Sequence, residues 1–355
     1  MKNKDRQLCE AVLSPGREIG RISLVKITRD GALLLALPLN RRLALATLAL
    51  YQPQRLKARL LRRVIRVWVL LGLHRFLPKF ELILGDRGVF SGLDQKALSN
   101  GFGFLLGNVS SPMRNLIGLY ETGGILRVVK AGLGKAAPVV RDEYASMRDF
   151  SRLVVGVPEC LGLFDIENGA AYIAELVSGR SPRGADDDTL VFELLNNWLQ
   201  IGNSMSVSNL DCWEKLAEKL DDDTMQRFAA LARAEVTSPV MHGDFAPWNI
   251  KISDNGEVKV LDWEFGQRAG MPSWDALHYM VQRMCLVEKC PSSEVINTCM
   301  IFLSGSFMQS YLKKAGLQGN EKELLASYLY YSAYVQAYPR EELIILCREN
   351  LQQNE

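Results

Sequence analysis

The sequence runs His242-Gly243-Asp244-Phe245-Ala246-Pro247-Trp248-Asn249, then Ile250-Lys251-Ile252, Ser253-Asp254-Asn255-Gly256-Glu257, and Val258-Lys259-Val260-Leu261-Asp262-Trp263-Glu264-Phe265-Gly266. Asp-Asn-Gly between alternating apolar runs predicts a β-hairpin over residues 249–262. Two registers are open. A two-residue loop at Asn255-Gly256 puts Asn249 opposite Asp262. A three-residue loop, Asp254 to Gly256, pairs Ile252 with Val258 and Ile250 with Val260, which matches the apolar faces better and puts Asn249 opposite Leu261. Either register brings an amide oxygen and a carboxylate to the open end of one hairpin. That pair suits Mg²⁺, which takes a few hard oxygen ligands from protein and the rest from water and phosphate. Asp244 lies on the loop entering the same place, where it can orient a hydroxyl and accept its proton during phosphoryl transfer. His242 is expected to brace that loop through backbone hydrogen bonds.

The same residues carry a resemblance. His242-Gly243-Asp244-Phe245-Ala246-Pro247-Trp248-Asn249 with Val260-Leu261-Asp262-Trp263-Glu264 resembles the aminoglycoside phosphotransferase and choline kinase-like family of the protein-kinase-like superfamily. The resemblance covers roughly residues 100 to 280 by motif and order. It implies an α+β, two-lobed protein-kinase-like fold with a small β-rich N-lobe and a mostly helical C-lobe. It implies ATP or GTP as co-substrate with Mg²⁺, and a small-molecule hydroxyl as acceptor, such as a sugar, an aminoglycoside or an amino alcohol. It implies that Asp244 is the catalytic base and that Asn249 and Asp262 are the metal ligands. The alternative is a kinase-like nucleotide-binding module with little turnover, peripheral to a membrane through its basic N-terminal segment.

N-terminal to this stretch, Gly101–Gly107, Asn115–Thr122 and Ile125–Lys130 read as strands, Val139–Leu153 as a helix, and Glu159–Phe164 and Ala170–Leu176 as two more strands. A kinase-like small lobe holds nucleotide phosphates with a strand lysine pinned by a helix glutamate. Lys130 ends the third of these strands, and Glu143 falls in the helix. Lys135 and Glu121 are the fallback pair. No G-x-G-x-x-G occurs, so Ser110 and Ser111 in the turn after Gly107 are the candidates for the phosphate loop. Glu175 and Val177, on the segment joining the lobes, are the candidates for the adenine edge. The expected divisions are a basic N-terminal appendage over 1–97, an N-lobe over 98–178 and a helical C-lobe over 179–355.

Composition sets the limits. The 355 residues carry a formal net charge of +2. That charge is uneven, because the first hundred residues hold 19 basic and 7 acidic side chains. Much of the excess lies on a helical pattern from about Gln54 to Phe76 with Arg55, Lys57, Arg59, Arg62, Arg63, Arg66 and Arg75. The plain reading is a helix packed on the protein with its arginines in water. The sharper reading is peripheral contact of residues 54–79 with an anionic membrane or glycan. Nucleic acid is not expected, because no reading motif accompanies the charge. Seven cysteines without a Cys-x-x-Cys argue against a disulfide framework or a zinc site. No signal-peptide pattern opens the chain, and no apolar run reaches the about 18 residues a membrane span needs. The expected setting is cytoplasmic, with the inner membrane surface as the peripheral option.

Several features read as structural. The acidic runs Asp186–Asp188 and Asp221–Asp223 read as helix caps. Asp275 matches a helix that supports the metal loop in the family the sequence resembles, and His74 and His278 read as structural. Tyr328, Tyr330, Tyr331, Tyr334 and Tyr338 read as core rather than as a cage for a cation.

Overall fold

The computed structural model describes residues 3–29, 32–51, 56–92, 101–107 and 115–352. The chain divides into two compact units, residues 1–148 with 158–177 and residues 149–157 with 178–355. The first is β-rich and the second mostly helical. This is the expected fold class.

The first unit is built on one antiparallel sheet, eight-stranded among the described residues. Its strands are β1 (Glu18–Arg29), β2 (Ala32–Pro38), β3 (Lys79–Gly85), β4 (Phe102–Leu106), β5 (Asn115–Thr122), β6 (Ile125–Leu133), β7 (Cys160–Ile166) and β8 (Gly169–Glu175). Their order is β3-β1-β2-β4-β5-β6-β8-β7. Helices α1 (Asn3–Leu13), α2 (Arg41–Leu50) and α3 (Leu56–Leu70) precede β3, and α4 (Ala136–Phe150) follows β6.

Side chains alternate across a strand, so each face of the sheet can carry its own core. Leu24, Phe102 and Phe104 join Cys9, Val12 and Leu13 of α1 in one cluster, and Leu33 joins them because a bulge in the β1–β2 pairing at Ile27/Thr28 reverses the alternation of β2 there. Val25, Leu35 and Leu37 join Ala44 and Leu48 of α2 and Ile65 and Val69 of α3 in another. The boundary expected near residue 97 therefore does not separate two bodies. Leu35 pairs with Leu105 and Ala36 with Phe104, so the N-terminal strands extend the same sheet. From before the second expected boundary, at 178, the helical unit takes residues 149–157, and it resumes at Ser178.

The second unit contains α5 (Ala185–Gln200), α6 (Asp211–Ala217), α7 (Asp222–Arg227), α8 (Ala229–Ala232), α9 (Trp274–Gln282), α10 (Ser292–Ser304), α11 (Ser306–Ala315), α12 (Glu321–Tyr334) and α13 (Glu341–Gln352). It also contains two short antiparallel pairs. One joins β9 (Asn203–Ser206) and β10 (Glu235–Ser238), the other β11 (Ile250–Ile252) and β12 (Val258–Val260). Tyr328, Tyr330 and Tyr331 are buried, and Tyr331 packs 4.4 Å from Trp274 between ring centres, which is the core role expected of them.

The acidic runs divide. Asp221 caps α7 by accepting from the Thr224 N–H at 2.7 Å. Asp187 and Asp188 do not cap α5. Asp187 takes a bidentate pair from Arg180 and the Arg183 N–H, and Asp188 takes Arg283 and the Tyr279 hydroxyl. Ionic partners supplied by other elements displace the local cap. Among the described residues no helix is long and apolar enough to cross a membrane.

Candidate active site

In the β-rich unit, Lys130 sits on β6 and Glu143 on α4, and their charged groups meet at 2.6 Å. Both side chains are buried, with 6% and 1% of their surface exposed. The second Glu143 oxygen accepts from the Tyr172 hydroxyl of β8 at 3.0 Å. Sheet pairing of Lys130 with Tyr172 explains the convergence, because directly opposed residues present side chains to the same face. Arg42 of α2 takes the fallback residue Glu121 at 3.0 Å. Glu175 ends β8, and its backbone N–H and side chain both bond to Glu159. Val177, half-buried, is the last residue of this unit. Ser110 and Ser111 lie outside the described residues.

In the helical unit, β11 and β12 pair Ile250 with Val260 and Ile252 with Val258, the register with the three-residue turn. The Leu261 N–H donates to the Asn249 carbonyl at 2.8 Å, so Asn249 and Asp262 sit one position apart at the open end. Asp262 has φ 61° and ψ 63°, a left-handed conformation. For a residue other than glycine this costs on the order of 1–3 kcal/mol and turns up most often at functional sites.

Asp244 is held from three sides. Its Oδ1 faces Nε2 of His278 at 3.0 Å and accepts from the Tyr338 hydroxyl at 3.0 Å. Its Oδ2 accepts from Nδ2 of Asn249 at 3.0 Å, and that same amide nitrogen also donates to the Asp244 carbonyl at 2.9 Å. Burial works to raise the Asp244 pKa. The hydrogen bond and charge of His278, the charge of His242 and the Tyr338 hydroxyl outweigh it, so the carboxyl titrates below its ordinary range. It is a carboxylate at neutral pH.

His242 braces the loop as expected. Its Nδ1 accepts the Asp244 N–H at 3.2 Å, which leaves Nε2 to donate to the Leu261 carbonyl at 2.8 Å. One imidazole thus ties the Asp244 loop to the hairpin end. Asp275, on α9, supports the loop from behind. It accepts the His242 N–H at 2.6 Å and the Gly243 N–H at 3.0 Å. Gly243 has φ 80°, and a Cβ there would lie 2.7 Å from the Phe265 carbonyl oxygen, so this turn requires glycine.

The His242–Asp275 contact gives a pH prediction. Burial pushes His242 down to about 4 from 6.5. The folded state then binds fewer protons than the unfolded chain between those values, so this group costs stability as pH falls through that window, by roughly 3 kcal/mol when complete. Burial pushes Asp275 up to about 7 from 3.8, although its two backbone donors favour the ionised form. That group gains stability as pH falls through its window, so the two slopes oppose. Relative to wild type, His242→Gln should gain stability between pH 6.5 and about 4, and Asp275→Asn should lose it. Urea unfolding at pH 7 and pH 5 would read both slopes.

Two partners of Asp244 were not expected. His278 reads as structural in the sequence, yet it lies three residues after Asp275 on α9, and that spacing puts both on one helix face. Tyr328 donates to or accepts from His278 Nδ1 at 3.2 Å. Tyr338 reads as core, but it is half-exposed on the turn after α12, where Gln336 also donates to the Gly243 carbonyl. Nothing local in the sequence marks those two.

No protein-family model matches the sequence, and no curated protein matches it. Solved structures do. An aminoglycoside phosphotransferase solved with ADP and hygromycin B is 13% identical, covering 69% of this chain and 90% of that one at a TM-score of 0.42. Ethanolamine kinase from Plasmodium vivax is 10% identical, covering 76% and 85% at 0.46. Choline kinase from Streptococcus pneumoniae is 17% identical, covering 70% and 85% at 0.40. One of the three is a phosphotransferase and the other two are kinases, by their own descriptions.

Proposed function

We propose that this protein is a Mg²⁺-dependent phosphotransferase that moves the γ-phosphoryl group of ATP or GTP to a hydroxyl of a small molecule. The observation that carries the reading is Asp244. It is ionised, half-buried and fixed by His278, Tyr338 and Asn249. A carboxylate offers about four acceptor sites, and the three bonds leave capacity for a substrate hydroxyl. Asp244 would orient that hydroxyl and take its proton as the new bond to phosphorus forms. General-base assistance of this kind contributes about 10²–10⁴ in rate.

The donor set fits a magnesium ion. Nδ2 of Asn249 is committed to Asp244, which leaves its amide oxygen, and Asp262 adds a carboxylate one position beyond the hairpin pair. Two hard oxygens with water and phosphate completing the shell is the usual Mg²⁺ pattern. When bound, the ion would offset charge on the phosphates. Lys130, held straight by Glu143, would bind the α- and β-phosphates, as the family resemblance implies. Ser110, Ser111, Glu175 and Val177 remain candidates for the rest of the nucleotide contacts. The acceptor belongs to the class of sugars, aminoglycosides and amino alcohols.

Binding gives the first test. Mg-ATP or Mg-GTP should raise the melting temperature of wild type, since a ligand that binds only the folded state stabilises it. Asp262→Ala should remove the Mg²⁺-dependent part of that shift. Identical shifts in wild type and variant, with and without Mg²⁺, would count against the metal assignment.

A further inference from the structure

The surface of α3 is left over by the phosphotransferase reading. At about 100° per residue, Leu60, Leu61, Val64, Val67, Trp68 and Leu71 fall within an arc of about 120°. All six are exposed, Leu71 at 66%. Among the described side chains of this helix, Ile65 and Val69 are the buried ones, clustered with Val25 of β1 and Leu35 and Leu37 of β2. Gly72, with φ 74°, ends the helix, and the following turn leaves Leu73 exposed and Phe76 exposed at 85%. Single exposed apolar side chains are ordinary, but a contiguous set of large ones marks a contact surface.

The charge says what kind of contact. Arg59, Arg63 and Arg66 share the remaining exposed face with Leu70, Arg62 is half-buried beside them, and Lys57 is exposed within the apolar arc. Residues 31–80 contain ten Lys and Arg and no Asp or Glu. An apolar arc beside a face of arginines is the pattern of a helix that lies in a bilayer interface, with the apolar side chains at the acyl boundary and the guanidinium groups among lipid phosphates. A second copy is a poor occupant, because a two-fold contact would set these arginines against their own kind. Nucleic acid would cover the arginines and leave the apolar arc in water.

We propose that α3 and the turn through Phe76 form a docking surface for an anionic phospholipid bilayer. The helix lies on the membrane and does not cross it. This assignment is independent of the chemistry at Asp244.

The test is flotation of the full chain with vesicles of phosphatidylcholine alone, or of phosphatidylcholine with about 30% phosphatidylglycerol, since attraction to anionic lipid adds for each basic residue near the surface. Wild type should partition at least about tenfold more strongly to the anionic vesicles, and weaken as salt rises from about 0.1 M to about 0.5 M. Val64→Asp with Leu71→Asp should abolish flotation. Arg59→Gln with Arg63→Gln and Arg66→Gln should reduce partition to the anionic vesicles to the level seen on phosphatidylcholine. These side chains are exposed, so the melting temperature should not move in either variant, and it serves as the folding control. Equal partition to both vesicle types, or none to either, would overturn the proposal. So would a concentration-dependent dimer abolished by Val64→Asp with Leu71→Asp in a protein that ignores vesicles, which would give the face to a second copy. Retention on an anionic polysaccharide without vesicle binding would likewise overturn it.

Discussion

Asp244→Asn should lower the rate of phosphoryl transfer by two to four orders of magnitude, about the contribution of a positioned general base, while nucleotide binding stays near the wild-type value. The substitution is close to isosteric. The asparagine oxygen can still accept from His278 and Tyr338, the two groups now on Oδ1. Its amide nitrogen would face Nδ2 of Asn249, a donor against a donor, so one hydrogen bond is lost. That loss costs about 1–3 kcal/mol of stability, too little to explain a large fall in rate. A thermal melt beside the kinetics separates the two effects. A variant that folds, binds nucleotide and turns over like wild type would remove Asp244 from the chemistry.

Lys130→Met should have the largest effect on stability. It leaves the Glu143 carboxylate, 1% exposed, with Tyr172 as the partner that remains of the two described above. Breaking a buried pair from one side typically costs about 3–5 kcal/mol, because an uncompensated charge stays in a low-dielectric site. Lys130→Met combined with Glu143→Gln should recover most of that loss. Glutamine carries no charge and still offers an oxygen to the Tyr172 hydroxyl. Nucleotide affinity should not recover, since the cation that would meet the phosphates is gone from both proteins. Denaturant midpoints read the first half, and a titration with Mg-ATP reads the second. Full recovery of nucleotide affinity in the double variant would limit the pair to a structural role.

Much of the fold and site is legible in local pattern, and what is not has physical causes. The hairpin register followed from the apolar alternation of Ile250, Ile252, Val258 and Val260, because a one-residue slip would turn those side chains to the other face. Lys130 and Glu143 were legible as a strand residue and a helix residue a short distance apart in sequence. The Asp244 partners were legible only in part. His278 shares a helix face with Asp275, which a helical spacing can show. Tyr338 lies 94 residues from Asp244, and only tertiary folding brings it there. The division near residue 97 has a different cause. Composition and charge set residues 1–97 apart, but backbone pairing takes no account of charge, and β2 joins β4 through the ladder. The acidic run at 186–188 looked like a cap because its competitors, Arg180 and Arg283, come from outside the helix.

Product detection decides whether Asp244 supports phosphoryl transfer. Wild type and Asp244→Asn would each be incubated with Mg-ATP, then Mg-GTP, and a panel of sugars, aminoglycosides and amino alcohols, and the mixtures followed by phosphorus NMR. With wild type a phosphate monoester should form on one acceptor class as the nucleoside diphosphate appears, and with Asp244→Asn it should form at least about a hundredfold more slowly. A wild-type protein that binds nucleotide but forms no monoester across the panel, or an Asp244→Asn protein that forms it as fast as wild type, would contradict that role of Asp244.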